Sequence, residues 1–175
     1  MELWSQDEAR LGLIPIVRRV WAPRGERPLA LGQRRYEWVY VYGFVRPGAG
    51  EVQWLILPWV DTEIFSIALK HFAQEIGAGP NKHVVLVLDR AGWHASKDLV
   101  IPEGIHLVFL PAYSPELQPA EHLWPLVHEG VANQRIETLE ELEDLLFARC
   151  RALASDHDLI RANTLFHWWP VDYAA

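Results

Sequence analysis

Hydrophobic and polar positions divide the chain into a strand-like first third, one helix, two short apolar runs and a helical end. Between Leu11 and Val60 the apolar residues alternate with polar ones or cluster in runs too short for helices, broken by turn chemistry. Three strands are predicted there, Leu11 to Val20, Tyr36 to Val45 and Val52 to Val60. The loop Ala22-Pro-Arg-Gly-Glu-Arg-Pro28 follows the first and Arg46-Pro-Gly-Ala-Gly50 the second. Short loops predict antiparallel neighbours. Trp4 to Asp7 reads as a further, short strand, and Trp38, Trp54 and Trp59, lying within strand patterns, are expected in the core.

After Val60 the period changes. Asp61 or Thr62 caps a helix whose apolar residues Ile64, Ala68, Phe72 and Ile76 recur every fourth position, and Gly77 with Gly79-Pro80 ends it. His83 to Asp89 is a continuous apolar run, too short for a helix between such breakers. It is predicted as a strand buried on both faces, and Ile105 to Leu110 repeats the signature. A short crossover between them predicts a parallel pair within a mixed sheet. Pro119 opens a helix with Leu123, Val127 and Val131 on one face, which ends before Thr138. Thr138-Leu-Glu-Glu141 is a capping box for a second helix, with Leu142, Leu146 and Leu153 on its stripe, and Ser155-Asp-His-Asp158 caps a third. With no repeat and no dividing linker, residues 1–175 are expected to form one α/β domain.

Composition narrows the function classes. Half of the 175 residues are hydrophobic and 22% are charged, a globular balance, and no apolar run approaches the roughly 20 residues of a membrane span. The lone Cys150 excludes an internal disulfide and a Cys-rich zinc site. None of the eight histidines has His-x-x-x-His spacing, which argues against a zinc hydrolase. The first residues lack a basic and apolar leader, so a cytoplasmic protein is expected. The net charge of -7 argues against nucleic acid, but its distribution does not. Eight of thirteen arginines fall between Arg10 and Arg46 against Glu26 and Glu37, a net +6. The rest carries eight basic and twenty-one acidic residues, a net -13. The arginines are either a solvated strand surface or a phosphate-binding one.

Three carboxylates stand out. Asp89 ends the most apolar run, where open α/β sheets place their ligand crevice, though an Asp there also caps turns. Asp7 carries the same two readings. Glu121 follows a stretch held by Pro111, Pro115 and Pro119, three residues after Gln118, where it either caps a helix or is aimed by the rigid run.

Leu88 to Ser96 and Phe109 to Trp124, the latter containing Tyr-Ser-Pro-Glu-Leu-Gln-Pro-Ala-Glu-His-Leu-Trp, resemble the paired signatures of mariner-like bacterial insertion-sequence transposases. Trp4 to Arg10 resembles that family's first catalytic strand, so the resemblance covers essentially the whole chain as a catalytic domain. It implies a ribonuclease H-like fold, a mixed five-stranded sheet flanked by helices. It also implies an Asp7, Asp89, Glu121 triad, both catalytic and metal-binding, holding two Mg²⁺ or Mn²⁺ ions for cleavage and strand transfer. Hard carboxylate donors suit those ions, and a metal pair stabilises both the attacking and the leaving oxygen of an in-line displacement.

The implied partners are DNA, as transposon ends and target, with a homo-oligomer assembling on it near the nucleoid. The helix-turn-helix region that the family places before this domain is expected to be absent from this chain. A truncated copy, a separate protein or a frameshifted fusion partner would account for that. The sequence departs from the family at Arg90 and Gln118, where Asn is usual, and at His128, where Lys is usual. Gln118 is expected to cap the following turn less well than Asn, and Arg90 to compete with the metals or grip a phosphate. His94, common in the family, is either an outer-shell or phosphate contact or a satisfied buried histidine, and Trp124 is expected to pack under the Glu121 helix. Two rival functions stay open, a decayed or accessory domain of the same fold that binds without chemistry, and a structure-selective nuclease. Because gathered carboxylates repel, Asp89→Asn is expected to leave the metal-free fold as stable or more so.

Overall fold

The computed structural model describes residues 1–26, 35–112 and 114–170; Arg27, Pro28, Arg34 and Tyr113, which entered the loop, arginine and motif readings, lie outside them. Five strands, β1 (Glu2–Gly12), β2 (Trp38–Arg46), β3 (Glu51–Leu57), β4 (Val84–Leu88) and β5 (Ile105–Phe109), form one sheet in the order β3-β2-β1-β4-β5. β1 pairs antiparallel with β2 and parallel with β4, so the sheet is mixed. α1 (Thr62–Ile76) covers one face. α2 (Leu123–His128), α3 (Leu139–Ala154) and α4 (His157–Thr164) belong to the other.

Strand alternation divides the core in two. Trp4, Tyr42, Phe44, Leu86 and Leu88 turn toward α1, where Phe44 stacks on Phe72 at 4.3 Å and Trp4 meets the same ring edge-on at 5.1 Å. Val39, Val41 and Val45 turn to the other face and pack with Leu123, Val127, Leu142, Leu146 and Cys150. Asp61 caps α1 by accepting from the Ile64 N–H at 2.8 Å, and Gly77 ends it in the left-handed conformation. The buried stripe of α1 is Phe65, Ala68, Leu69, Phe72 and Ala73, one step round from the fourfold spacing read in the sequence. Thr138 caps α3, but Glu141 reaches past it to the Glu137 N–H, so the reciprocal half of the capping box is displaced by one residue. Asp156 caps α4.

Five expectations need correction. The short strand at Trp4 to Asp7 is the middle of an eleven-residue β1, whereas residues 13–20 form no strand. That segment bonds to the turn after α2 instead: Ile16 O accepts from the Asn133 N–H and Asn133 Oδ1 from the Arg18 N–H. β5 is a sheet edge, so it alternates, with His106 and Val108 exposed, rather than being buried on both faces. The helix from Pro119 is a 3₁₀ turn, Pro119–His122, followed by the six-residue α2. Trp38 and Trp59 are exposed, and Trp38 serves as a platform for the Arg10 guanidinium, 5.0 Å from its ring centroid.

Candidate active site

Parallel pairing places the first two carboxylates. Ser5 stands opposite Val87, and continuing that register by two residues brings Asp7 level with Asp89, just past the carboxyl end of β4. Asp7 shares the α2 face of β1 with Ser5, and Trp124 Nε1–H donates to its Oδ2 at 2.7 Å. This approach depends on Gly43, the β2 partner of Asp7. A Cβ there would lie 2.9 Å from Leu123 Cδ1, 3.1 Å from the Trp54 ring and 3.3 Å from the Trp124 ring, so a larger residue would have to displace the side chains that press onto the sheet beside Asp7. Trp124 therefore does more than pack under the Glu121 segment.

Gln118 places the third carboxylate. It is buried and makes no cap; its Nε2 donates to Gln6 O at 2.5 Å and its Oε1 accepts from Ser5 Oγ at 3.2 Å. The expectation of a weak cap is thus overturned, because the longer amide spans to β1 and clasps the turn that carries Glu121. Asp7, Asp89 and Glu121 line one cleft of about 330 Å³, with Arg90 and Gln118 on its walls beside Leu110 and Pro111. They do not form a closed cage: among the described residues no three His, Cys, Asp or Glu side chains are grouped so as to hold an ion.

The carboxylates differ electrostatically. Burial, together with the charge of Glu121, pushes Asp7 up to about 7 against the opposing Trp124 hydrogen bond. Glu121 is raised by burial and then by Asp89. Asp89 is lowered, chiefly by its hydrogen bond from His94. His94 Nδ1 stands 2.7 Å from Asp89 Oδ1 and Nε2 stands 3.0 Å from Glu8 Oε1, with the ring buried against Phe65. Burial disfavours its charge, but the bonds to Asp89 and Glu8 prevail and raise it to about 9, so His94 is an imidazolium between two carboxylates.

Arg90 is exposed at the rim, its Nε donating to Leu110 O at 3.3 Å and its guanidinium 5.8 Å from the Phe109 ring centroid. His128 ends α2 and does not line the cleft. Of the described arginines, Arg46 is tied to Glu2 and Glu51 and Arg35 to Glu37, whereas Arg18, Arg19 and Arg24 are exposed. The sequence reading missed Glu8, Ser5, Gly43 and the Trp124 indole. Alternation along β1 was the available signal for Glu8, since it sends a second carboxylate to the face opposite Asp7, where burial demands a partner.

The model of the DDE superfamily endonuclease family matches residues 2–143. An uncharacterized protein of Sinorhizobium fredii (strain NBRC 101917 / NGR234), y4pE/y4sA, is 36% identical over 115 residues, 66% of this chain and 82% of its own length. Among solved structures, a pre-cleavage Mos1 transpososome superposes with a TM-score of 0.63 at 13% identity, over 94% of this chain and 56% of that one. The Mos1 mariner paired-end complex with Mn gives 0.59 at 15%, over 94% and 56%. The chain thus spans little more than half the length of the Mos1 chains, and the likeness establishes the ribonuclease H-like fold. With four fifths of its length inside the family match, the chain belongs to the DDE superfamily endonuclease family.

Proposed function

We propose that this chain is the catalytic domain of a DNA transposase, with Asp7, Asp89 and Glu121 as the ligands of Mg²⁺ or Mn²⁺, two ions at full loading. The observation that carries the reading is that three carboxylates from β1, the end of β4 and the Pro119–His122 turn line one cleft in a chain of an endonuclease family. The donor set fits such ions, because all three ligands offer hard oxygens. Asp7 and Glu121 are both raised, Glu121 despite the opposing charge of His122, which marks crowded negative charge that a bound cation relieves.

Bound divalent cations supply Lewis-acid stabilisation of a phosphodiester displacement and lower the pKa of an attacking water or 3'-hydroxyl. The protein's own groups provide aim. Trp124 holds Asp7 through one oxygen, His94 and the Ala91 N–H hold Asp89 through Oδ1, and the Gln118 clasp fixes the turn bearing Glu121. Arg90, at the rim, grips a backbone phosphate of the incoming DNA, and the exposed Arg18, Arg19 and Arg24 add affinity without base readout. End recognition then comes from a helix-turn-helix region outside this domain.

The test is incubation of the protein with labelled transposon-end DNA in Mn²⁺ and in chelator. Cation-dependent nicking that leaves a 3'-hydroxyl, followed by joining to a target duplex, is the expected result. Binding of that DNA with no cation-dependent nicking overturns the reading in favour of a domain without chemistry.

A further inference from the structure

We infer that Glu8 is a positioning residue of the carboxylate cleft: acting through His94 from the opposite face of the sheet, it fixes the orientation of Asp89. The inference rests on reading Asp89 as a cation ligand. Glu8 follows Asp7 in β1, so alternation sends its side chain away from the cleft and toward α1. There it is 6% exposed and meets His94, 1% exposed, at 3.0 Å. The second ring nitrogen of His94 meets Asp89, whose side chain is 57% exposed and sits on the loop beyond β4.

An exposed carboxylate at a strand end has no packing to aim it, so its direction comes from hydrogen bonds. Among the described residues, the hydrogen bonds from His94 and from the Ala91 N–H both go to Oδ1, which leaves Oδ2 available to a cation in the cleft that Asp89 lines. A ring held at one nitrogen still swings; held at both, between Glu8 and Asp89 and against Phe65 at 4.4 Å, it does not. Two adjacent residues of β1 therefore serve one site from two faces, Asp7 directly and Glu8 through the imidazole.

The test measures Mn²⁺ affinity by electron paramagnetic resonance and the His94 ring by ¹H–¹⁵N NMR in wild type, Glu8→Met, Glu8→Gln and Asp89→Asn. Glu8→Met is expected to weaken Mn²⁺ binding by about tenfold or more, the scale of lost partners behind a metal ligand, and to shift the His94 ring signals. Glu8→Gln, whose Oε1 still accepts from Nε2–H, is expected to stay within about threefold of wild type on the same scale. Wild-type affinity and ring signals in Glu8→Met overturn the inference. Should Glu8→Met not fold, Glu8→Asp withdraws the carboxylate by one methylene and is expected to weaken binding likewise; unchanged binding there overturns it equally. Asp89→Asn separates the two claims. Unchanged Mn²⁺ binding in that variant removes the ligand reading itself, whereas loss there with Glu8→Met unaffected removes only the role of Glu8.

Discussion

Neutralising Asp7 should stabilise the cation-free protein, and the gain should depend on pH in a way that identifies its cause. Burial and Glu121 raise this carboxyl from 3.8 to about 7, so the folded state holds its proton more tightly than the unfolded state does. Wild-type stability is then undiminished by this group below pH 3.8, falls as pH rises through the interval, and levels off above about 7. Each pH unit across that interval is worth about 1.4 kcal/mol, so the full loss is a little over ~4 kcal/mol as an upper figure, which partial solvent screening reduces. Asn at this position keeps an acceptor for the Trp124 N–H but not the charge, and the weaker hydrogen bond returns about 1 kcal/mol. Asp7→Asn should therefore exceed wild type by about 2–3 kcal/mol at pH 8.5, or roughly 4–12 °C in Tm for a chain of this size. At pH 4 the difference should vanish. His94, which titrates in the alkaline range in both proteins, cancels in the comparison. Melting curves in chelator at pH 4, 6 and 8.5 provide the check. A variant less stable than wild type at pH 8.5, or a difference that does not change with pH, would show that the Asp7 charge does not destabilise the cation-free fold.

The other expectations differ in sign or in readout. Asp89→Asn should lower cation-free stability at pH 7 by about 1 kcal/mol, because the exposed carboxylate loses a charged hydrogen bond from His94; an increase in Tm contradicts the pairing. Gln118→Ala leaves Gln6 O without its buried donor and should cost about 1–3 kcal/mol, with Gln118→Asn, too short to span both contacts, recovering at most part of it in a denaturant titration. Arg90→Ala should weaken binding of end and scrambled DNA alike and reduce the slope of log affinity against log salt by about one, and a selective loss for the end sequence contradicts a phosphate contact.

Asp89→Asn shows where reading the sequence stopped. Repulsion among gathered carboxylates pointed to unchanged or greater stability on neutralising Asp89, but the groups that burial and repulsion raise are Asp7 and Glu121, while Asp89 itself is held by a cation five residues along the chain. The family resemblance of two short motifs and the first strand named the three carboxylates that share the cleft, and the apolar runs named β4 and β5, because those signals are local. The length of β1 was not legible: Glu8 and Arg10 interrupt its apolar pattern, and their partners, His94 and Trp38, are distant in sequence. Residues 13–20 mimic a strand because Leu13, Ile14, Ile16, Val17 and Val20 make a short, mostly β-branched apolar run before a Pro- and Gly-rich loop, but Ile16 O and the Arg18 N–H bond to Asn133 rather than to a neighbouring strand. Gln118 reads as a poor cap by propensity alone, and its clasp across to β1 becomes visible only when the sheet brings Ser5 and Gln6 beneath it.

The proposed function stands or falls on Asp7, Asp89 and Glu121 forming one cation-dependent phosphodiester-cleaving site. It is tested most directly by single-turnover nicking of labelled DNA in Mn²⁺ by wild type and by Asp7→Asn, Asp89→Asn and Glu121→Gln, each verified as folded. Wild type should nick the DNA, chelator should abolish that nicking, and every single variant should lose at least about 10³-fold, since residues acting as one unit fail together. Nicking that persists in chelator, no nicking by wild type in Mn²⁺, or a wild-type rate in any one of the three variants contradicts it.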